Sequence, residues 1–257
     1  MASDPGTVRS LNEDCVAYMH LQVAQDERRE AALLVLADGM GGHAEGEMAS
    51  QVAVAAALEA LAPAALVPLA LPAASGGRAG EPLREVLERA MDQADRAVRE
   101  QTPEGGTTLL LALVVGDQLY LAHVGDSRAY LIREGHAEQL TRDHSLVGRL
   151  VELGELSPEQ ARSHPQRSLL YRALGQGSRL EVDFLSRSLG AGHTLLLCTD
   201  GLWSLLSEAE LAAHIAAAPT AQAACDALVA EARRRGADDN VSLLVARSVP
   251  QATEETA

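Results

Sequence analysis

The sequence predicts an α+β fold built on antiparallel sheets, rather than a doubly wound parallel sheet. Strand-like segments outnumber helical ones, and most neighbouring strands are joined by short turns of the kind that form hairpins. Helical segments fall in pairs between the strands instead of alternating with them one by one. Hydrophobic residues make up 47% of the 257 residues, which is enough to bury a sizeable core in one domain.

The N-terminal part of the chain switches between strand and helix periodicity. Residues 14–21 and 31–37 predict strands, and the second is an almost continuous apolar run, typical of a strand buried on both faces. Residues 44–61 predict an alanine-rich helix, and residues 82–101 predict an amphipathic helix with a proline in its first turn. Between these helices, residues 63–80 form a low-complexity Ala/Pro/Gly loop, which we expect to be variable or disordered.

The C-terminal part begins with a strand-like period. Residues 107–115, 118–124 and 127–133 are separated by Gly-Asp turns, which predicts an antiparallel meander. The other predicted elements are short helices at 145–153 and 157–163, a buried strand at 193–199, helices after the caps Ser207 and Thr220, and a strand at 241–247. We assign residues 1–250 to a single domain and expect the polar tail, 251–257, to be disordered.

Charge and composition exclude several functional classes. Acidic residues outnumber basic ones by 36 to 21, giving a net charge of −15, so we expect no binding to nucleic acids or anionic membranes. Cys15, Cys198 and Cys225 are too far apart in sequence to indicate a disulfide framework or a zinc cluster. No signal-peptide pattern opens the chain, and the longest apolar run is broken by two prolines. These features favour a cytoplasmic protein.

Acidic residues at strand ends and in tight turns indicate a metal site. They are Asp38, Asp126, Asp200 and Asp239, together with Glu13 and Asp14 before the first strand. Any one of them alone is ordinary turn chemistry. If they converge, each close pair of carboxylates repels by about 4 kcal/mol at an effective dielectric near 20, so cations have to neutralise the cluster. Carboxylate and carbonyl oxygens favour Mg²⁺, Mn²⁺ or Ca²⁺ over zinc.

A glycine-rich segment offers a competing interpretation. Residues 39–44 fit the dinucleotide-binding pattern G-x-G-x-x-A, and Glu59 follows about twenty residues later. Two features oppose this interpretation: Asp38 would face the pyrophosphate, and hairpins rather than a βαβ unit follow the helix. We therefore keep a dinucleotide-binding enzyme only as an alternative.

Seven motifs carry a resemblance to a known family. They are residues 9–14 (RSLNED), 37–43 (ADGMGGH), 106–108 (GTT), 125–130 (GDSRAY), 140–145 (LTRDHS), 199–202 (TDGL) and 239–242 (DNVS). In this order they resemble the metal-dependent protein phosphatases of type 2C, in particular the bacterial serine/threonine branch. The resemblance covers roughly residues 5–247, and the ordered set makes it specific although each motif alone is weak.

The resemblance implies a fold and a metal centre. The fold is a sandwich of two antiparallel β-sheets flanked by pairs of antiparallel helices, with two Mn²⁺ or Mg²⁺ ions at one end. The resemblance implies that Asp38 bridges both ions and that Asp200 and Asp239 hold the first ion. Glu13 or Asp14 would hold the second ion, joined by the carbonyl of Gly39, and Asp126 with Asp200 would hold a third, weaker ion. Residues 144–177 correspond to a flap beside the cleft that shapes substrate access in similar proteins.

The resemblance also implies a reaction. A metal-bridging water or hydroxide would attack the phosphorus of phosphoserine or phosphothreonine in proteins, and the cations would offset charge on the phosphoryl oxygens. Arg9 matches the phosphate-binding arginine, and its planar fork suits two parallel hydrogen bonds. Met40 departs from the pattern, because animal members carry a histidine there as the proposed general acid. A metal-bound water or His43 is left for that role, although a protonated histidine is unfavourable beside a helix N-terminus.

Partners and alternatives follow from this assignment. We expect phosphorylated proteins as substrates, a bacterial serine/threonine kinase as the opposing enzyme, and a monomer. The competing class is a phosphoprotein sensor that keeps the fold without turnover, but intact Asp38, Asp200 and Asp239 argue against a dead site. Two simpler roles also stay open: Arg9 as a surface ion pair with Glu13, and Asp126 as the former of a hairpin with Arg128.

Overall fold

The computed structural model describes residues 1–23, 26–41, 44–66, 82–162, 164–177 and 179–248. Within them the chain forms two antiparallel β-sheets that pack face to face, with helices on both outer faces. The predicted α+β class and the antiparallel sheets are confirmed. Most of the predicted 63–80 loop and the whole predicted 251–257 tail lie outside the described residues.

The first sheet has five strands and combines both ends of the chain. Its spatial order is β1 (Ala2–Asp4), β11 (Val241–Arg247), β10 (Thr194–Cys198), β7 (Arg128–Arg133) and β8 (His136–Gln139). Every neighbouring pair is antiparallel. The N-terminal strand is therefore paired with the last strand of the described chain, which brings the segment that follows it to the ends of β10 and β11.

The second sheet has six strands. Its order is β2 (Asp14–Val23), β3 (Asp26–Met40), β5 (Leu109–Val115), β6 (Gln118–Val124) and β9 (Asp183–Ser188), and the short β4 (Gly106–Thr107) pairs with the end of β3. The strand β3 extends beyond the predicted 31–37, because it pairs with β2 along almost its whole length. The predicted 107–115 strand is divided at Thr108 into β4 and β5.

Seven α-helices cover the sheets in the described chain. They are α1 (Ala44–Leu61), α2 (Leu83–Gln101), α3 (Leu146–Glu152), α4 (Pro158–Arg162), α5 (Asp200–Trp203), α6 (Glu208–Ala217) and α7 (Ala221–Arg234). A π-helical segment, Ala62–Leu66, continues α1 into the predicted loop. Pro82 lies one residue before the first helical residue of α2, and the predicted capping box of Ser207 and Glu210 is present at α6.

Three layers of buried side chains explain why β3 is apolar on both faces. Leu33 and Val35 point to the helical layer of α1 and α2. Leu34 and Leu36 point the other way and pack with side chains of the first sheet. A separate cluster, which includes Tyr130 of β7, packs the outer face of that sheet against α5, α6 and α7. Side chains alternate between the faces of a strand, so an unbroken apolar run suits a central layer.

One helical segment, Ala44–Ala65, is long and apolar enough by length and composition to cross a membrane, with a mean hydropathy of 1.4. Small residues on one side of it, including Ala49, Ala53 and Ala57, are fully buried in the cluster formed with the second sheet and α2. This packing is that of a core helix.

The root of the predicted flap (residues 144–177) is fixed by a buried ion pair. Arg128 of β7 donates to both carboxylate oxygens of Asp143, with nitrogen–oxygen distances of 2.9 and 2.7 Å. Its guanidinium carbon lies 3.6 Å from the centroid of the Trp203 ring. Backbone bridges Ser145–Leu170 and Thr107–Leu174 tie the two ends of the flap to each other and to β4.

The layer between the sheets yields a first prediction. Leu119→Ala removes a side chain that is 0% exposed, so we expect the free energy of unfolding to fall by about 2–5 kcal/mol. Guanidinium denaturation without added metal measures this change. The control is Tyr18→Ala, whose ring is 59% exposed and whose loss should cost about 0.5 kcal/mol or less. Equal losses for the two variants would contradict the assigned packing.

The buried ion pair yields a second prediction. Arg128→Leu leaves the carboxylate of Asp143 buried without its cation, which should cost about 3–5 kcal/mol of stability by denaturant titration. The double variant Arg128→Leu/Asp143→Asn should recover part of that loss, because it removes the unpaired charge. The matched control is Arg84→Leu, which breaks an exposed pair with Glu88 and should cost about 1 kcal/mol or less. A loss at Arg128 no greater than at Arg84 would show that the pair has no such role.

Candidate active site

Backbone pairing in the second sheet places two of the predicted acids side by side. Asp14 at the start of β2 lies directly opposite Asp38 near the end of β3. The backbone N–H of Asp38 donates to Oγ1 of Thr108 at 2.9 Å, and the N–H of Thr108 donates to the carbonyl of Asp38 at 2.9 Å. Opposed residues in antiparallel strands have Cα atoms about 4.5–5.5 Å apart, so the register alone brings these carboxylates together.

A threonine links this pair to the first sheet. Thr199, the N-cap residue of α5, donates from its hydroxyl to Oδ2 of Asp14 at 3.0 Å. Its backbone N–H donates to the carbonyl of Ser242 in β11 at 3.0 Å. Asp200 is the next residue, so the hydrogen bond from Thr199 fixes the end of β10 next to the β2–β3 pair. No role was predicted for Thr199, although it lies inside the 199–202 motif.

Two glycines allow α1 to approach the end of β3. A Cβ on Gly39 would lie 2.0 Å from the carbonyl oxygen of Gly46, so only glycine fits there. A Cβ on Gly46 would lie 3.0 Å from Oε2 of Glu13, which shows that the Glu13 carboxylate lies against this junction. The carbonyl of Glu13 accepts from the N–H of Gly39 at 3.1 Å. Glu13 and Gly39 are therefore neighbours, and the ligand role that the resemblance implies for them stays a prediction.

Asn240 connects the N-terminal acids to Asp239. Its Oδ1 accepts from the backbone N–H of Glu13 at 2.8 Å, and its Nδ2 donates to the carbonyls of Pro5 and Leu11. The residue is 5% exposed, so these contacts are shielded from water. Apart from the motif that contains Asn240, no sequence pattern indicates this role.

Arg9 lies at the edge of the same group. Its Nη2 donates to Oδ2 of Asp239 at 3.0 Å, and both side chains are partly exposed. Arg9 therefore forms a surface ion pair, but with Asp239 rather than with the predicted Glu13, whose charge acts on it from farther away. A guanidinium has five N–H donors, so this contact leaves others for a further anion.

Asp126 occupies a turn that other elements hold in place. Its carbonyl accepts from the indole N–H of Trp203 at 3.0 Å, and the N–H of Gly125 donates to Nδ1 of His144 at 3.1 Å. The side chain is buried, with 5% exposure. The hairpin alternative at Asp126 and the predicted meander over 107–133 are wrong, because β6 belongs to the second sheet while β7 pairs with β8 and β10 in the first.

The pKa values of the acids show that they act on one another. Burial raises the pKa of Asp38 well above its usual value, and the charges of Asp14, Asp200, Asp126 and Asp239 raise it further. Burial, together with the charges of Asp200 and Asp239, raises the pKa of Asp14 to about 7. Burial and then the charge of Asp239 raise the pKa of Asp200 to about 6. Acids from both sheets therefore form one electrostatic cluster.

The cluster fits a hard divalent cation. All its donors are carboxylate or carbonyl oxygens, which Mg²⁺ and Mn²⁺ prefer. Oδ1 of Asp14 is buried and has no hydrogen-bond partner, a costly arrangement that a cation would relieve. Among the described residues, no three Asp, Glu, His or Cys side chains already stand close enough together to hold a metal ion. Cation binding would thus draw the carboxylates inward against their mutual repulsion.

Of the two residues weighed from the sequence at the general-acid position, Met40 and His43, one lies within the described residues. Met40 contacts the flap, with Nε2 of Gln176 lying 3.7 Å from its sulfur. His43 lies outside the described residues. His123 is 2% exposed and its ring nitrogens have no partner, and burial lowers its pKa to about 3, so the ring is neutral.

Comparison with known proteins identifies the family. The family described as "Protein phosphatase 2C" matches residues 10–232. The serine/threonine protein phosphatase PstP of Mycobacterium tuberculosis is 39% identical over 250 residues, which cover 95% of this chain and 43% of PstP. The chain therefore spans less than half the length of PstP. The serine/threonine phosphatase stp of Listeria innocua is 33% identical, over 97% of this chain and 95% of stp.

Solved structures agree in fold. A crystal structure of the M. tuberculosis phosphatase PstP/Ppp has a TM-score of 0.78 and 37% identity, covering 96% of this chain and 97% of the other. A structure of the PstP catalytic domain in complex with two manganese ions has a TM-score of 0.75 and 35% identity, covering 96% of each chain. The predicted sandwich is confirmed, and the predicted enzyme class is the class of these named relatives. This chain belongs to the protein phosphatase 2C family.

Proposed function

We propose that this chain is a metal-dependent protein phosphatase that hydrolyses phosphoserine and phosphothreonine in proteins. One observation carries the proposal: strands of two different sheets bring Asp14, Asp38 and Asp200 into a single electrostatic cluster of oxygen donors. Such a cluster has no structural purpose in the apolar sandwich, because its like charges oppose folding. Binding of divalent cations would account for the presence of this cluster of acids.

The donor set divides between the cations as follows. We assign Asp38 to both ions, Asp200 and Asp239 to the first, the carbonyl of Gly39 with Glu13 or Asp14 to the second, and Asp126 with Asp200 to a weaker third. The unpartnered oxygen of Asp14, directly across from Asp38, favours Asp14 over Glu13. Two Mn²⁺ or Mg²⁺ ions held there would supply a nucleophile at neutral pH and offset the negative charge of the phosphoryl oxygens.

Arg9 is suited to orient the substrate phosphoryl group. The contact with Asp239 keeps its guanidinium at the edge of the cluster, while the exposed part of the side chain stays accessible. A planar guanidinium donates two parallel hydrogen bonds to phosphate oxygens, which a lysine does not reproduce. Arg9 would thus hold the phosphoryl group beside Asp38.

The leaving alcohol needs a proton that Met40 does not have, because a thioether carries no acidic hydrogen. The sources that remain are water in the site and His43. The contact between Met40 and Gln176 places an apolar sulfur and a neutral amide at this wall. We therefore expect the proton for the leaving alcohol to come from water or His43 and not from residue 40.

The cellular setting is also a proposal, since the chain spans only part of PstP. Phosphoserine and phosphothreonine arise from kinase action, so we infer that a serine/threonine kinase makes the substrates. Cys15, Cys198 and Cys225 are free thiols, which suits a reducing cytoplasm. We also propose that the chain acts as a monomer.

Chelation provides the third prediction. With Mn²⁺, the protein should hydrolyse p-nitrophenyl phosphate and a phosphothreonine peptide, and EDTA should remove about 99% or more of both activities. Restored Mn²⁺ should restore turnover, which excludes denaturation. Peptide binding without turnover would instead support a phosphoprotein sensor, and tight binding of NAD would support the dinucleotide alternative.

Asp38→Asn provides the fourth prediction. We expect turnover of p-nitrophenyl phosphate to fall by about 1,000-fold, because the substitution removes the charge assigned to both cations. The melting temperature without metal should stay equal or rise, since one of the repelling charges is gone.

The matched control is Asp117→Asn, the same change at an exposed position in the turn between β5 and β6. It should keep both the rate and the stability of the wild type. A near-native rate for Asp38→Asn would show that our metal assignment is wrong.

A further inference from the structure

A cavity lies between the flap and the helices that follow Asp200. Its volume is about 240 Å³, and Asp200 itself forms part of the wall. Ligand pockets for whole small molecules are usually about 300–1,000 Å³, so this space suits one or two amino-acid side chains rather than a cofactor. Its apolar surface comes from Val147, Val151, Pro158, Ala161 and Trp203.

The charged side chains of this cavity that are not neutralised by a partner are mainly arginines. Arg142 and Arg162 line it, and neither lies within ion-pair distance of a carboxylate in the described part of the chain, although the charge of Arg162 acts on the exposed Glu159. Arg167 also lines it and reaches Asp238 at 3.4 Å, with both side chains largely exposed. Besides Arg128, which is paired with Asp143, three guanidinium groups therefore surround one small space, and those of Arg142 and Arg162 form no ion pair in the described part of the chain.

The acids that line the same cavity are mostly engaged elsewhere. Asp143 is neutralised by Arg128, and Glu152 pairs with Arg149 at 2.9 Å. Asp200 belongs to the cluster assigned to cations. Glu208 remains, exposed in the first turn of α6, where the positive end of the helix stabilises it.

This local charge contrasts with that of the whole protein. A net charge of −15 repels acidic partners, so an acidic substrate segment gains attraction only where cations cluster. The cavity provides such a place, and it shares a wall with the assigned metal centre.

We propose that this cavity is a specificity site for an anionic side chain of the substrate protein, either a carboxylate or a second phosphoryl group. The inference rests on the proposed phosphatase function. The apolar floor would contact the aliphatic part of the bound segment, while Arg142, Arg162 and Arg167 would bind its charge. An extended peptide advances about 3.3 Å per residue, so the anionic residue would lie within about four positions of the phosphorylated one.

A matched peptide series tests this inference. Each phosphothreonine peptide carries a single variable position, from four residues before to four residues after the phosphothreonine, filled with Glu, phosphothreonine, Ala, Leu or Lys. With Mn²⁺, we expect Glu and phosphothreonine at one or two adjacent positions to raise kcat/KM about fivefold over Ala, and Lys to lower it. The preference should shrink as salt is raised from 0.05 to about 0.5 M, because exposed charges are screened.

The double variant Arg142→Ala/Arg162→Ala tests whether the preference for an anionic residue arises in this cavity. The ratio of kcat/KM for Glu over Ala should fall to within about twofold of unity, and using the ratio cancels any general loss of rate. The control is Arg133→Ala/Arg187→Ala, which also removes two positive charges, from residues that flank Glu138 and lie outside the cavity. The control should keep the full ratio and the turnover of p-nitrophenyl phosphate.

Failure of the specificity site and failure of the phosphatase function give different results in these assays. Equal kcat/KM for Glu, Ala and Lys at every position would overturn the specificity site while leaving the phosphatase intact. A preference for Leu would overturn it as well, because the cavity would then select apolar side chains. No turnover of p-nitrophenyl phosphate or of any peptide with Mn²⁺ would overturn the proposed function itself.

Discussion

Repulsion between like charges is the constraint on which the arrangement of the site depends. Asp14 and Asp38 are forced together by strand register, and Thr199 fixes Asp200 beside them through a hydrogen bond to Asp14. The pKa values of Asp14 and Asp38 are raised first by burial and then by the charges of the neighbouring acids, and both effects oppose ionisation without a cation. The segments that carry these acids are held mainly by backbone hydrogen bonds within the two sheets. The stability of the sandwich therefore offsets the repulsion between the carboxylates. A bound cation relieves this repulsion, so it binds tightly and stabilises the folded protein.

A second set of contacts joins the acidic cluster to the flap. Arg128 binds Asp143 at the root of the flap and stacks on Trp203, whose indole holds the carbonyl of Asp126. His144 accepts from the N–H of Gly125 in the same turn. The turn that contains Asp126 and the arginine-lined cavity are therefore held in place by the same two side chains, Arg128 and Trp203. A movement of the flap would therefore shift the turn of Asp126 through these few side chains.

Much of this was predictable from the sequence, and the gaps have physical causes. The buried strands were predictable because continuous apolar runs such as that of β3 have few alternatives. The strands β8 and β9 were missed because they are short and half exposed, so their composition is that of loops. The acids were identified from their motifs, but their convergence depends on strand pairing between distant segments. The roles of Asn240 and Thr199 depend on the same pairing, and no local pattern signals them.

The central claim is that strand pairing gathers these scattered acids into one site for divalent ions. Anomalous X-ray scattering at the manganese edge, from crystals soaked in Mn²⁺, tests it most directly. We expect two strong peaks at about 2.0–2.4 Å from carboxylate oxygens, with Asp38 contacting both and Asp200 and Asp239 sharing one. Manganese bound elsewhere on the surface, with no peak among these three residues, would contradict it.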